Sequence, residues 1–389
     1  MLEPLARDDT PRGLVFSLGY RVEPGSRLVF LSASDSRSSG LARGSFQEQT
    51  QAALEHLVRA AGRVGPDARI VKVRRYMTSG RGHRSPETRL VWQAALGDSQ
   101  PASTALEVPG SSLLGSLIDL EAWAVAPAAA DVEPIVRIAS DHLAPDAVVV
   151  RGDQRLCVAA VCPEPGPASS RTVESELASC LAKIEAEFAA HGAGPEDLVK
   201  LTVYYRDPRS WPTIQAMVAD RYGAHCPVVT SIIVSNLRTP EGHVEVTGWA
   251  RSAHNTPALP RGERAVVDLC DRLLVTTGTG AMPIFVGGEA ADMYKQLPPA
   301  TVEEQTHLTM HNQRAVLESA GATFDDVFRS NWYLTDIRDW ETVQEIATSY
   351  FGRPLPVPMV IEVSRLTAKQ GVRVEPDLWA SLPADSRSS

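Results

Sequence analysis

Three carboxylates each stand four residues ahead of a tryptophan in apolar, strand-like contexts: Asp119 before Trp123, Glu245 before Trp249, and Glu375 before Trp379. An acid set among Leu, Val and Trp is either partnered or functional, because an unpaired buried charge is costly. One reading is a general acid/base that moves a proton to or from a reacting group. The other is a salt bridge at a sheet edge. Residue types alone leave both open.

Arginines supply the candidate anion-binding groups. Arg75, between Arg74 and Tyr76 on a predicted strand, can offer a guanidinium from a neighbouring surface or lie on a solvated strand face. Arg206 and Arg329 sit in comparable positions. The run Thr276-Thr277-Gly278-Thr279-Gly280 lacks the lysine of a phosphate-binding P-loop. His307 and His311 have the i, i+4 spacing of helical metal ligands, but no third ligand is evident, so neither metal nor cofactor is expected. The loop from Thr78 to Pro86, with Arg81, His83 and Arg84, could reach over a cleft as a lid. Five cysteines without Cys-x-x-Cys spacing suggest reduced thiols.

The elements that must position these groups recur. Arg27-Leu28-Val29-Phe30-Leu31, Arg155-Leu156-Cys157-Val158-Ala159 and Arg272-Leu273-Leu274-Val275-Thr276 open three similar segments, 128 and 117 residues apart. An amphipathic helix follows each, with Leu54, Leu57, Val58 and Ala61, with Leu177, Leu181, Ile184 and Phe188, and with Met310, Ala315, Val316 and Leu317. Glycine turns are expected next, at Gly62 and Gly65, Gly192 and Gly194, and Gly321. Then come strands at Ile70 to Tyr76, Leu198 to Tyr204 and Val327 to Tyr333, and second helices, clearest at Trp211 to Tyr222 and Trp340 to Tyr350. A strand pair ending in the shared tryptophan closes each copy. Ala126 to Pro134 and Arg251 to Pro260 read as surface linkers.

This order predicts three repeats over residues 1–130, 131–256 and 257–389. One repeat leaves a sheet face uncovered, so three sheets packed about a common axis bury one another. The tryptophans read as core or inter-repeat packing. At 389 residues, 43% hydrophobic and 22% charged, the chain suits a multi-unit globular protein. Its net charge of −9 argues against a nucleic-acid surface and a ribonuclease role. No apolar run is long enough for a membrane span. The first thirteen residues carry Glu3, Asp8 and Asp9 and no apolar segment, so a cytoplasmic location is expected.

Within this frame the third repeat resembles the Rid (YjgF/RidA) superfamily. The resemblance rests on Glu304-Gln305-Thr306, Val316 to Ala322, Asp325-Asp326-Val327 and Tyr333 to Trp340. The second repeat is similar in Gly194 to Lys200 and Val203 to Asp207; the first keeps Gln49-Thr50 and Val71-Lys72-Val73. The resemblance implies an α+β, chorismate-mutase-like fold with sheets inside and helices outside. It also implies clefts between units, here supplied by one chain as a pseudo-trimer that is monomeric or paired with a second copy. The family's imine deaminases hold the substrate carboxylate with an arginine on the penultimate strand. Here that position falls on Ser103, Val229 and Pro358, none of which can replace a guanidinium. Their last-strand acid falls on Asp119, Glu245 and Glu375.

The expected function is therefore carboxylate acid/base chemistry on a small imine, enamine or carbonyl metabolite, without arginine-dependent 2-iminoacid deamination. Arg75, Arg206, Arg329, Thr277 and Gly278 are candidate substrate contacts. Two alternatives stand beside it: chorismatase-like lyase or hydrolase chemistry, and small-molecule binding or scaffolding without turnover. Chorismatases resemble Rid domains and keep the last-strand acid, but their helix arginine has no match near Leu90, Ala216 or Glu345.

Overall fold

The computed structural model describes residues 3–5, 19–22, 27–34, 44–78, 85–97, 101–111, 115–126, 135–138, 147–151, 156–161, 163, 171–189, 193–237, 241–251, 265–268, 273–276, 298–319, 322–353, 355–356, 358–366 and 371–381. The chain begins with β1 (Glu3–Leu5) and β2 (Gly19–Val22). The first repeat then runs β3 (Arg27–Ser34), α1 (Phe46–Val64), β4 (Arg69–Met77), α2 (Pro86–Leu96), β5 (Ala102–Glu107), β6 (Gly110–Ser111) and β7 (Ile118–Ala126). A hairpin, β8 (Ile135–Ile138) and β9 (Ala147–Arg151), precedes the second repeat. That repeat holds β10 (Leu156–Val161), α3 (Val173–Ala189), β11 (Leu198–Tyr205), α4 (Trp211–Tyr222), β12 (Val228–Ile233), β13 (Asn236–Leu237) and β14 (Val244–Arg251). The third comprises β15 (Ala265–Asp268), β16 (Leu273–Thr276), α5 (Val302–Ser319), β17 (Val327–Leu334), α6 (Trp340–Phe351), β18 (Pro358–Glu362) and β19 (Val374–Ser381).

Local chemistry sets these boundaries. Ser45 and Glu48 form a reciprocal capping box that starts α1, and Ser85 caps α2 ahead of Pro86. Each second helix stops on a glycine with positive φ: Gly97 at 53°, Gly223 at 51° and Gly352 at 61°, a backbone region that other residues enter with strain. Gly62, expected in a turn, lies inside α1, which runs on to Val64. The linker segments 127–134 and 252–260 and most of the expected lid, 79–84, lie outside the described residues.

Every repeat builds the same sheet core: the last strand lies antiparallel to the strand after the first helix, which pairs in parallel with the next. The sheets also trade strands. β13 of the second repeat extends the first repeat's sheet at β5, and β6 of the first extends the third's at β18. At the other edge the leading hairpins are exchanged: β1 and β2 reach the second sheet through β10, whereas β8 and β9 join the first through β3.

Burial follows the two faces of each sheet. On one face, α1 and α2, α3 and α4, and α5 and α6 cover three separate apolar clusters. The opposite faces meet in a fourth cluster drawn from all three repeats, including Tyr76 and Leu106, Tyr204 and Ile232, and Tyr333 and Ile361. Sheets therefore lie inside and helices outside, and each repeat shields the others' inner faces from water.

Candidate functional site

The first helix of each repeat anchors the strand that carries the candidate acid. Gln49 Oε1 accepts the Leu117 backbone N–H at 2.8 Å, and Gln305 Oε1 accepts that of Arg373 at 2.8 Å. In the second repeat the carboxylate of Glu176 takes this place, accepting from His243 N at 2.6 Å and Val244 N at 3.2 Å. Each bond fixes the backbone two residues ahead of Asp119, Glu245 or Glu375. Gln49 and Gln305 lie within the motifs that carry the family resemblance, whereas Glu176, in the same helical turn, is a different residue type that those motifs do not reveal.

The three acids occupy one register. Asp119 stands opposite Tyr76, Glu245 opposite Tyr204, and Glu375 opposite Tyr333, on antiparallel strand pairs. All three are buried, at 0%, 2% and 7% exposure, and Asp119 accepts a hydrogen bond from Ser116 Oγ at 3.0 Å. Burial pushes the Tyr76, Tyr204 and Tyr333 hydroxyls up from the usual phenol value, so each stays a neutral proton donor. Ser103, Val229 and Pro358 pair in parallel with Val73, Leu201 and Ser330 respectively. They are thus structural equivalents, and the position is free of arginine in all three copies.

The remaining candidates do not converge. Arg75 lies on the helix side of its sheet, its guanidinium 5.2 Å from the Trp92 ring centre, away from the Asp119–Tyr76 face. Arg329 is fully buried on the inner face, where it pairs with Glu121 and covers Trp123 at 4.4 Å. Arg206 is exposed just beyond β11 and lines an open pocket. The three arginines therefore occupy three unlike positions, not the comparable ones expected. His307 and His311 share the hydroxyl of Tyr350 at 2.9 and 3.3 Å. Thr277 and Gly278 lie outside the described residues.

Reading from sequence missed a polar network at the shared axis. Trp249 packs against Trp123 at 5.5 Å and Trp379 at 5.2 Å between ring centres. Around them, Thr104 and Thr247 hydroxyls meet at 3.1 Å, Lys200 reaches Asp377 at 2.8 Å, and Arg329 reaches Glu121. These links join first repeat to second, second to third and third to first. Arg74 adds a 3.0 Å bond to Glu121. Burial pulls Lys72 well below the ordinary lysine value, and the Arg74 charge adds to the shift. Lys200 is also lowered by burial, with Asp377 acting against the change.

Comparison with known proteins adds an independent line. The family model described as Endoribonuclease L-PSP matches residues 147–252 and 269–382, more than half of the chain. The chain belongs to this family. Its matched segments are the second and third repeats, and the family is that of the Rid proteins. A RutC family protein of Pyrococcus abyssi is 40% identical over 85 residues, covering 21% of this chain and 67% of that protein. A RutC family protein of Saccharolobus solfataricus is 45% identical over 65 residues, 17% of this chain and 52% of the relative. The rat protein named 2-iminobutanoate/2-iminopropanoate deaminase is 32% identical over 107 residues, 28% of this chain and 72% of the relative. Among solved structures, a chorismatase aligns with 80% of this chain and 93% of its own at 13% identity and a TM-score of 0.49. A YjgF/YER057c/UK114 family member from Mycobacterium tuberculosis aligns with 31% of this chain and 85% of its own at 29% identity and a TM-score of 0.25. No helix among the described residues is long and apolar enough to cross a membrane.

Proposed function

We propose that this chain is a Rid-type enzyme that hydrolyses a small imine, enamine or related carbonyl-derived metabolite in clefts between its repeats. Three units, at residues 1–130, 131–256 and 257–389 with the first two leading hairpins exchanged, supply the clefts. The observation that carries the reading is the register of acid and phenol. Asp119, Glu245 and Glu375 each stand in cross-strand register with a buried neutral tyrosine, whereas the family's carboxylate-gripping arginine is Ser103, Val229 or Pro358.

In this reading the carboxylate is the general base. It takes a proton from water as the oxygen bonds to the carbon of the protonated imine, and the C=N electron pair moves to nitrogen, leaving a neutral amine. The resulting carbinolamine collapses when the carboxylic acid returns its proton to nitrogen. Ammonia leaves with the C–N bonding pair, and the hydroxyl proton passes through the carboxylate to the departing ammonia as the carbonyl forms. Water is consumed and the carboxylate is regenerated. Glu375 is the favoured catalytic residue, because the third repeat departs least from the family. The lost arginine also supports a second reading, small-molecule binding without turnover.

The test is to supply 2-aminoacrylate-type imines and, separately, chorismate, and to follow ammonia and pyruvate. Ammonia release that falls in Glu375→Gln supports the proposal. Pyruvate from chorismate with no imine turnover favours lyase or hydrolase chemistry instead. No release from either substrate favours the binding reading.

A further inference from the structure

Beyond β11, at the boundary between second and third repeats, the surface forms an open cavity of about 470 Å³. Arg206, Ser210, Ser235 and His243 of the second repeat line it together with Ser364 of the third. Its size lies within the range of small-molecule sites, and its wall combines hydroxyls with basic groups.

Arg206 is the informative residue. Its guanidinium makes one long hydrogen bond, from Nη1 to the Gly242 carbonyl at 3.5 Å, and has no carboxylate partner among the described residues. Four other surface arginines are held by carboxylates: Arg209 by Asp207, Arg221 by Glu185, Arg338 by Asp336 and Arg373 by Asp339. Asp207 also borders the cavity, but Arg209 holds it through both oxygens and keeps its carboxyl down at about 2. It is therefore charge-compensated and does not engage Arg206. His243 Nδ1 lies 3.4 Å from the buried Glu176 carboxylate, leaving Nε2 as the ring's other polar atom.

The other two equivalent boundaries differ from this one. Val108, Val234 and Val363 donate matching backbone bonds to Met77, Tyr205 and Leu334, so the following residues Thr78, Arg206 and Thr335 are counterparts. His243 likewise corresponds to Leu117 and Arg373, the latter held at 2.6 Å by Asp339. Among the three counterparts Thr78, Arg206 and Thr335, the second repeat alone supplies an arginine, a difference available to a fused chain but not to a homotrimer. The exposed residue entering this corner, Glu241, has φ 61° although it is not glycine. Such strain concentrates where a backbone path serves a site.

From these observations we infer that this pocket binds a small anion, with the Arg206 guanidinium gripping a carboxylate or phosphate group and serine hydroxyls completing the shell. The inference does not rest on the acid/base reading, since neither Arg206 nor His243 takes part in it.

Calorimetric titration at low salt tests it, with pyruvate as the carboxylate probe and inorganic phosphate as the other. The wild-type chain should bind at least one, and Arg206→Gln should weaken binding about tenfold or more. His243→Gln should weaken it less, and Arg338→Gln should leave it unchanged. Pyruvate binding alone assigns a carboxylate ligand, and phosphate binding alone a phosphate. Arg206 is exposed, so thermal unfolding of Arg206→Gln should match wild type. Glu375→Gln should bind as wild type does, which separates failure of this proposal from failure of the catalytic one. No binding of either anion, or equal binding by Arg206→Gln, overturns the assignment.

Discussion

Lys200 Nζ lies 2.8 Å from Asp377 Oδ2, joining the second repeat to the third through two side chains that are 2% and 1% exposed. Asp377 also accepts from Asn331 Nδ2 at 2.9 Å and Thr230 Oγ1 at 3.2 Å. A homotrimer would repeat one such contact three times. Here the three links around the axis are chemically different, so each repeat has one correct neighbour on each side.

Removing one partner of this pair should be costly. Lys200→Met leaves Asp377 buried without its cation and should destabilise the chain by about 3–5 kcal/mol in urea unfolding. The double variant Lys200→Met with Asp377→Asn removes the orphaned charge and should recover part of that loss. A single variant within about 1 kcal/mol of wild type would show that the link does not hold the repeats together.

Trp249 touches both of its counterparts, Trp123 and Trp379. Trp249→Ala should cost about 3–5 kcal/mol, as for other large aromatic truncations in a core. Because the cavity opens between all three repeats, unfolding should remain one transition. Separate melting of one repeat would contradict mutual burial.

Stability should rise with pH across the alkaline range below the ordinary lysine value. Lys72 has a lowered pKa in the folded chain, so between that value and about 10.4 the unfolded state binds more protons, and ΔG of unfolding grows with pH. Above about 10 the raised Tyr76, Tyr204 and Tyr333 reverse the trend, since the unfolded chain ionises first. Lys72→Met should flatten the rise and leave the chain more stable at pH 7, with Thr104 still bonded to Thr247. Urea midpoints at neutral and alkaline pH measure the slope; an unchanged slope would show that Lys72 holds its proton.

Once a turned-over substrate is found, Glu375→Gln should lower kcat by about 100-fold or more, the usual worth of a positioned acid/base. Glu245→Gln and Asp119→Asn should do less if the third repeat has specialised. Equal small losses in all three would point to a structural role for the acids, read as a drop in Tm without a selective loss of kcat.

Much of the fold is written in local pattern. The recurring apolar openings, the 3.6-residue spacing of Leu177, Leu181, Ile184 and Phe188, and the glycines after Tyr222 and Phe351 each act within a few residues. They define helices, strands and their order three times over. The register of Asp119, Glu245 and Glu375 was legible for the same reason, since each lies at a constant distance from a tryptophan on its own strand. Alternation along Lys72-Val73-Arg74-Arg75-Tyr76 shows two faces but not what covers either one. The solvated face offered as one reading of Arg75 is instead covered by Trp92, and the face bearing Lys72 and Arg74 is buried as well, with Glu121 meeting Arg74 and Arg329 there. Which acid met which base, which sheet received each leading hairpin, and why Arg75, Arg206 and Arg329 parted company were settled by tertiary structure. Those outcomes depend on apposing surfaces more than 100 residues apart in sequence, and no short-range propensity carries that information.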